Sequence, residues 1–440
     1  MPRRGLLQRG EGRKRAAGGF STVHDIVSRT GRVTPAWTGP GFREFVALIA
    51  VTMGITALAI DVLLPAFPHV GRTFRVAEAN DLQLLVYVYM AGFGVAQLVY
   101  GPAADIVGRR PALLVGLAIY AAGCVLAVLA PSFTWLLAAR ALQGIGGAAG
   151  RVLSIAIVRD RFEGREMARV MSITMMVFLM VPILAPTLGE VLVWGGHWQV
   201  VFGVMLAMDL ALMLWFARRM PETLHPEFRR PFSLASIASG VRLTVGNRVA
   251  MGYGSAIGLL FGCIMIYVGS AQQIFDSGLY HLGSLFPLMF GLVGLAMAAG
   301  SVANSTLVRR VGMRRMSHAG LVGFTLVSLA LAASALATGG RPPLVLFVAL
   351  LAASQFLTSI AFPNFNAMAM EPLGSVAGTA SSVLGFYTTI LGALVGLLVG
   401  RAFDGTVLPL ALGFLGLGLA ALAAVLVAER GRLFRPQQAG

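Results

Sequence analysis

The chain has 440 residues, 57% of them apolar and 12% charged, with a formal net charge of +16. Soluble domains carry about 25% charged residues, so a content half that size excludes an ordinary water-soluble globule and points to lipid as the main solvent. The excess positive charge suggests nucleic acid at first sight, but its distribution excludes that partner, as the order of the elements shows.

Residues 1–41 are rich in Arg and Gly and lack the apolar core of a cleavable signal peptide, so they read as a disordered basic cytoplasmic tail. Apolar runs follow at 44–65, 81–103, 112–130, 134–157, 168–192 and 199–217. The longest polar stretch, 218–248, comes next, then runs at 249–271, 284–307, 318–337, 342–369, 376–400 and 406–428, and a short tail, 429–440. A crossing helix needs about 20 mostly apolar residues. Backbone in hydrocarbon must satisfy its own hydrogen bonds, and the runs lack the alternating polarity of barrel strands. The expected fold class is an all-α polytopic membrane protein. Its twelve transmembrane helices form two pseudo-symmetric bundles of six, 42–217 and 249–428, joined by a cytoplasmic linker, 218–248.

With both termini inside, 28 of the 34 basic residues fall on cytoplasmic segments and four outside (Arg72, Arg75, Arg341, Arg401). That asymmetry is the positive-inside signature, so the charge reports topology. Cys124 and Cys263 lie in apolar runs and read as small core residues rather than a disulfide or metal site. The spans hold no His other than His318, the first residue of its run, so a relay of His residues has nothing to build on.

The second half echoes the first. "DIVGRRP" closes span 2 and "LVRRVGMRR" closes span 8, with Gly108 and Gly312 at corresponding places in very short turns. Internal duplication of this kind marks many secondary transporters, with the substrate bound between repeats.

"GPAADIVGRRP" (101–111) resembles the loop 2–3 motif of the major facilitator superfamily, and "LLAARALQGIGGAAG" (136–150) its span 4 motif. "APTLGEVL" (185–192), with Pro182 before it, is similar to the span 5 motif of drug:proton antiporters. "DVLLPAFP", "MPETL" and "PNFNAMAMEPLGSVAGTASSVLG" look most like the bicyclomycin-resistance (Bcr/CflA) type of exporter. The resemblance runs from about 42 to 428. It departs from the superfamily pattern at Ala103, where Leu is usual, and at Ile106, where Arg is usual.

Ionisable residues inside a membrane are costly and are functional candidates by default. Asp61, near the outer end of span 1, and Arg140, near the outer end of span 4, can sit at similar depth. A carboxylate carried between wet and dry surroundings changes its preferred protonation state. The resemblance assigns coupling to an acid in span 1, so Asp61 with Arg140 forms the expected proton-coupling site; a hydrogen-bonded helix end ahead of Pro65 is the plainer reading. Asp209 and Arg151 are candidates for a second ionisable site. Asp209 can equally bond a neighbouring helix, and Arg151, on the face of Arg140, can equally extend to the cytoplasmic edge.

Gly101, Asp105, Gly108 and Arg109 are expected to form a conformational latch between the halves, against the simpler reading of a turn and topology signal. Pro182, Pro186 and Gly189 carry the antiporter-type motif. Tyr87, Phe93, Gln143, Met176, Tyr267, Gln355, Asn364 and Phe386 are expected to line a substrate cavity, since Met and aromatic surfaces suit varied apolar ligands; plain packing is the rival for each.

There is no phosphate-binding loop and no Cys/His cluster, so no cofactor or metal is expected and the proton gradient is the expected drive. The expected function is proton-coupled efflux of small, mostly apolar drugs or toxic metabolites by alternating access. The alternatives are proton-coupled import of a sugar or organic anion, and a membrane sensor without transport. The chain is expected to be no enzyme, to act as a monomer in the bacterial cytoplasmic (inner) membrane with both termini inside, and to have lipid, protons and substrate as its partners, without nucleic acid.

Overall fold

The computed structural model describes residues 38–225, 227 and 234–434; the basic tail read into residues 1–41 lies outside them up to residue 37. Twelve long helices carry the chain back and forth. They are α1 (Phe42–Asp61), α2 (Leu84–Val107), α3 (Arg109–Val128), α4 (Phe133–Arg161), α5 (Gly164–Val193) and α6 (Gln199–Arg219), then α7 (Arg248–Gln272), α8 (Phe286–Val311), α9 (Met313–Ala337), α10 (Leu344–Met370), α11 (Ala377–Gly400) and α12 (Leu408–Ala428). Among the described residues, eleven helical stretches are long and apolar enough to cross a membrane. One of them, Leu344–Gly400, contains both α10 and α11, so the crossings number twelve.

Local chemistry sets the boundaries. Ser132 accepts from the Trp135 amide at 3.2 Å to start α4, and Asn247 accepts from Ala250 at 3.0 Å to start α7. Gly108 (φ 108°) and Gly312 (φ 89°) make the sharp reversals after α2 and α8, in a backbone region open to glycine. Two expectations on boundaries change. The first run is not one helix: α1 ends at Asp61, where Pro65 and Pro68 redirect the chain through a 3₁₀ turn (Leu64–Ala66) into a short helix, Phe67–Phe74. The linker also carries a helix, Leu234–Gly246.

The two halves repeat the same packing. In the first, α2 and α3 pack on α4, α5 on α1, and α6 on α3; in the second, α8 and α9 pack on α10, α11 on α7, and α12 on α9. The bundles meet through the corresponding pairs α2–α11 and α5–α8. The start of α1, the linker and the end of α12 share one end of the molecule, the linker end; the other is the far end.

The α2–α11 seam is a row of glycine slots. A methyl on Gly101 would lie 2.6 Å from Ser382 Oγ, one on Gly94 2.8 Å from Ile390, and one on Gly396 3.0 Å from the Tyr87 ring. Gly385 leaves room for Gln97, and Gly400 for Gln83 and Tyr87. Side chains of one helix therefore seat against bare backbone of the other.

Candidate transport site

Asp61 closes α1 and is 5% exposed. Among the described residues, no hydrogen bond or ion pair reaches its carboxylate. Tyr267 of α7 lies within electrostatic range, with its own hydroxyl buried and unpartnered and its ring stacked on Phe290 of α8 at 5.1 Å. The acid therefore stands where the two bundles adjoin. The helix break behind it is braced by α5: Gly189 presses so closely on the Val62 carbonyl that any β-carbon would overlap it. Pro182 and Pro186 lie inside α5 without ending it.

Arg140 does not partner Asp61, contrary to expectation. It is wholly buried inside the first bundle, donating from Nε to the Leu85 carbonyl (2.9 Å) and from Nη1 to Gln143 Oε1 (2.5 Å), with its guanidinium 4.5 Å over the Tyr89 ring. Gln143 continues the chain to Cys124 Sγ (3.1 Å) and Met205 Sδ (3.8 Å). The cause is the glycine face of α4. At Gly144 a methyl would overlap the Tyr89 carbonyl, so α2 closes over the guanidinium and shuts it away from the seam. Arg151, on the same face of α4, is exposed, 6.0 Å from the Phe178 ring of α5. Asp209 is fully buried and, among the described residues, neither of its oxygens has a partner, so the alternative of a bond to a neighbouring helix is not realised.

The charges of the expected latch stay within one bundle. Arg109 pairs with Asp105 (2.5 Å) and with Asp160 at the end of α4 (3.0 Å). The Glu222 carboxylate, just past α6, accepts from the backbone amides of Arg109 (2.9 Å) and Arg110 (3.2 Å), capping α3. Because Asp160 and Glu222 supply the acceptors, the cluster ties α2, α3, α4 and the linker together and does not bridge the halves. The crossing contact of this motif is Gly101 against Ser382.

The residues expected to line a cavity divide. Met176 is 64% exposed and Phe386 is half-buried. Tyr87 bridges the bundles, donating to the Met265 carbonyl at 3.2 Å, while Phe93 stacks on Tyr89. Gln143, Gln355 and Asn364 are enclosed instead. Asn364 donates to Asn304 Oδ1 at 2.6 Å and ties α10 to α8, whereas both amide atoms of Gln355 lack partners. A polar side chain within a span marks a buried helix pair as readily as a cavity wall.

Sequence reading missed the contacts that close the far end. Gln83, fully buried at the entry to α2, donates to Gln273 Oε1 (2.6 Å) and to the Gly400 carbonyl (3.0 Å). Gln273 donates to Asn80 Oδ1 (2.8 Å), and Asn80 to the carbonyls of Arg401 (3.0 Å) and Phe403 (2.9 Å). An ion pair, Arg401 to Asp81 at 2.8 Å, lies outside them. The described hydrogen bonds between bundles run from here to Gln97, which donates to Thr389 Oγ1 at 2.9 Å. On the other seam, Ile183 of α5 sits beneath Gly291 and Gly294 of α8. These contacts join the two bundles at the far end.

Residues 49–397, from α1 into α11, match the Major Facilitator Superfamily profile. The chain belongs to that superfamily. This transporter is 31% identical to an uncharacterized MFS-type transporter, YdgK, of Bacillus subtilis over 82% of its own length and 90% of that protein's. It is 30% identical to the bicyclomycin resistance protein homolog of Haemophilus influenzae over 82% and 91% of the two chains. Among solved structures, the D-xylose-proton symporter shares the fold at a TM-score of 0.69 and 15% identity, covering 88% of this chain and 97% of that one. Its relatives and fold are those of transporters, not enzymes.

Proposed function

We propose that this superfamily member exports small, mostly apolar drugs or toxic metabolites from the bacterial cytoplasm in exchange for entering protons, as a monomer without a cofactor. The carrying observation is Asp61, a buried carboxylate without a partner, placed where the first bundle adjoins the second. A lone buried carboxylate is stable only if it takes up a proton or meets water. Rocking of the bundles changes its access to water, so one group can load a proton on one side and release it on the other. Arg140 serves the fold of the first bundle in this reading. Asp209, enclosed in that bundle, is not assigned a coupling role.

Direction rests on two supports. The Arg-rich linker end fits a cytoplasmic face, which supports a topology with both termini inside and the far end outside. Curated relatives include a bicyclomycin resistance protein homolog and the multidrug resistance protein MdtL of Klebsiella pneumoniae. The exposed methionines Met176 and Met180 of α5 offer adaptable apolar contact.

The test is efflux of a fluorescent cation and of a neutral drug from energised cells, comparing wild type with Asp61→Asn. Uncoupler-sensitive efflux by wild type that vanishes in the variant, with equal protein in the membrane, is the expected result. Full activity in the variant removes Asp61 from coupling; raised accumulation on expression of wild type reverses the direction.

A further inference from the structure

A second polar chain lies at the linker end of the other bundle, away from Asp61. His318, the first residue of the run 318–337, lies in the second turn of α9 and is 1% exposed. The backbone N–H of Phe434 donates to its Nδ1 at 3.0 Å, and the Phe434 ring stands edge-on to the imidazole with centroids 5.6 Å apart. A peptide N–H can only donate, so Nδ1 is the bare nitrogen and the ring proton belongs on Nε2. Nε2 lies 3.2 Å from the Tyr253 hydroxyl of α7, and that hydroxyl donates onward to Glu429, just past α12. Arg314 completes the chain, pairing with Glu429 at 3.0 Å.

Every donor in this chain is used once, and only the neutral ring fits it. An imidazolium carries N–H on both nitrogens, and its Nδ1–H would oppose the Phe434 N–H. The titratable and charged groups facing the ring are Tyr253 from α7, Glu429 from the end of α12 and Arg314 from α9 itself; α10 contributes the apolar Phe365. Glu429 and Arg314 pair with each other, so the ring faces a neutralised pair. A separate observation concerns the held segment. Arg430 (φ 52°) and Phe434 (φ 65°) both sit in left-handed backbone, which non-glycine residues keep only where contacts impose it.

We propose that His318 is a pH-sensitive clasp: neutral, it holds the C-terminal segment 430–434 on the second bundle, and protonated, it releases it. Through Tyr253 and Glu429 the clasp also joins α7, α9 and α12. On the topology proposed above it reads cytoplasmic acidity, which an exporter that imports protons raises. Export then reports on itself through the tail.

Hydrogen exchange of the Phe434 amide reads the bond directly, in full-length protein in nanodiscs at about pH 8 and about pH 5, on either side of imidazole's ordinary titration range. After correction for intrinsic rates, about tenfold greater protection is expected at the higher pH. His318→Asn places a non-titrating acceptor near the position of Nδ1, so its protection is expected to be the same at both. Glu429→Gln removes the other titrating group and is expected to keep the wild-type difference. Equal protection of wild type at both pH values overturns the proposal, as does an acid-induced loss that survives in His318→Asn or disappears in Glu429→Gln. None of these readings depends on what is transported.

Discussion

Replacing Gln83 by Met, of similar length and without hydrogen-bonding groups, tests whether the far-end amides hold the transporter closed. In the closed state Gln83 satisfies Gln273 Oε1 and the Gly400 carbonyl, and it is itself fully buried. The Met variant leaves Gln273 Oε1 buried and empty, while the Gly400 carbonyl keeps its bond from the Phe403 amide at 3.1 Å, and the open state lets water reach the orphan. An orphaned buried acceptor costs about 1–3 kcal/mol. Each 1.4 kcal/mol is about tenfold in an equilibrium constant, so the closed-to-open ratio is expected to fall by about fivefold or more. Spin labels on exposed far-end positions of the two bundles, Arg75→Cys and Arg341→Cys with Cys124 and Cys263 replaced, report the opening as a longer distance. Adding Gln273→Leu removes that orphan and should restore part of the closed population. An unchanged distance distribution in Gln83→Met would refute the assignment of closure to these amides.

Glu222→Ala removes the cap of α3 and the acceptor for two consecutive amides; a loss of about 1–3 kcal/mol, seen as a lower melting temperature, is expected. Gly144→Ala forces a methyl into the Tyr89 carbonyl and should abolish stable folding, whereas Gly203→Ala, with nothing within 4 Å, should melt at or above wild type. The two alanines compared by thermal unfolding separate close helix approach from helix propensity.

The number of crossings and the place of Asp61 were legible because a membrane span is a long local signal and a carboxylate inside one stands out. Pairings were less legible. Gln83 and Gln273 lie 190 residues apart, and a neutral amide in an apolar run does not announce which helix it faces. The Arg140–Asp61 pairing failed for a related reason. Depth can be counted along a helix, but the glycine face that let α2 cover the guanidinium decides which side of the bundle it serves. His318 was passed over because it opens an apolar run and reads as a flank, while the tail that buries it is too short and polar to suggest docking. Glu222, quoted only as part of a resemblance, proved to anchor α3.

The α2–α11 seam carries a consequence for how this transporter can change its range of compounds. Where side chains of one helix seat in glycine slots of the other, most single substitutions either fill a slot or empty it, so this seam tolerates little drift. The α5–α8 seam meets through Ile183 and leaves Met176 and Met180 exposed. Variation in what is carried should therefore accumulate on α5, on the freer side of the hinge, while α2 and α11 stay fixed. Selection with unfamiliar toxic compounds would read that division as an uneven map of escape mutations, dense along one seam and sparse along its mirror image.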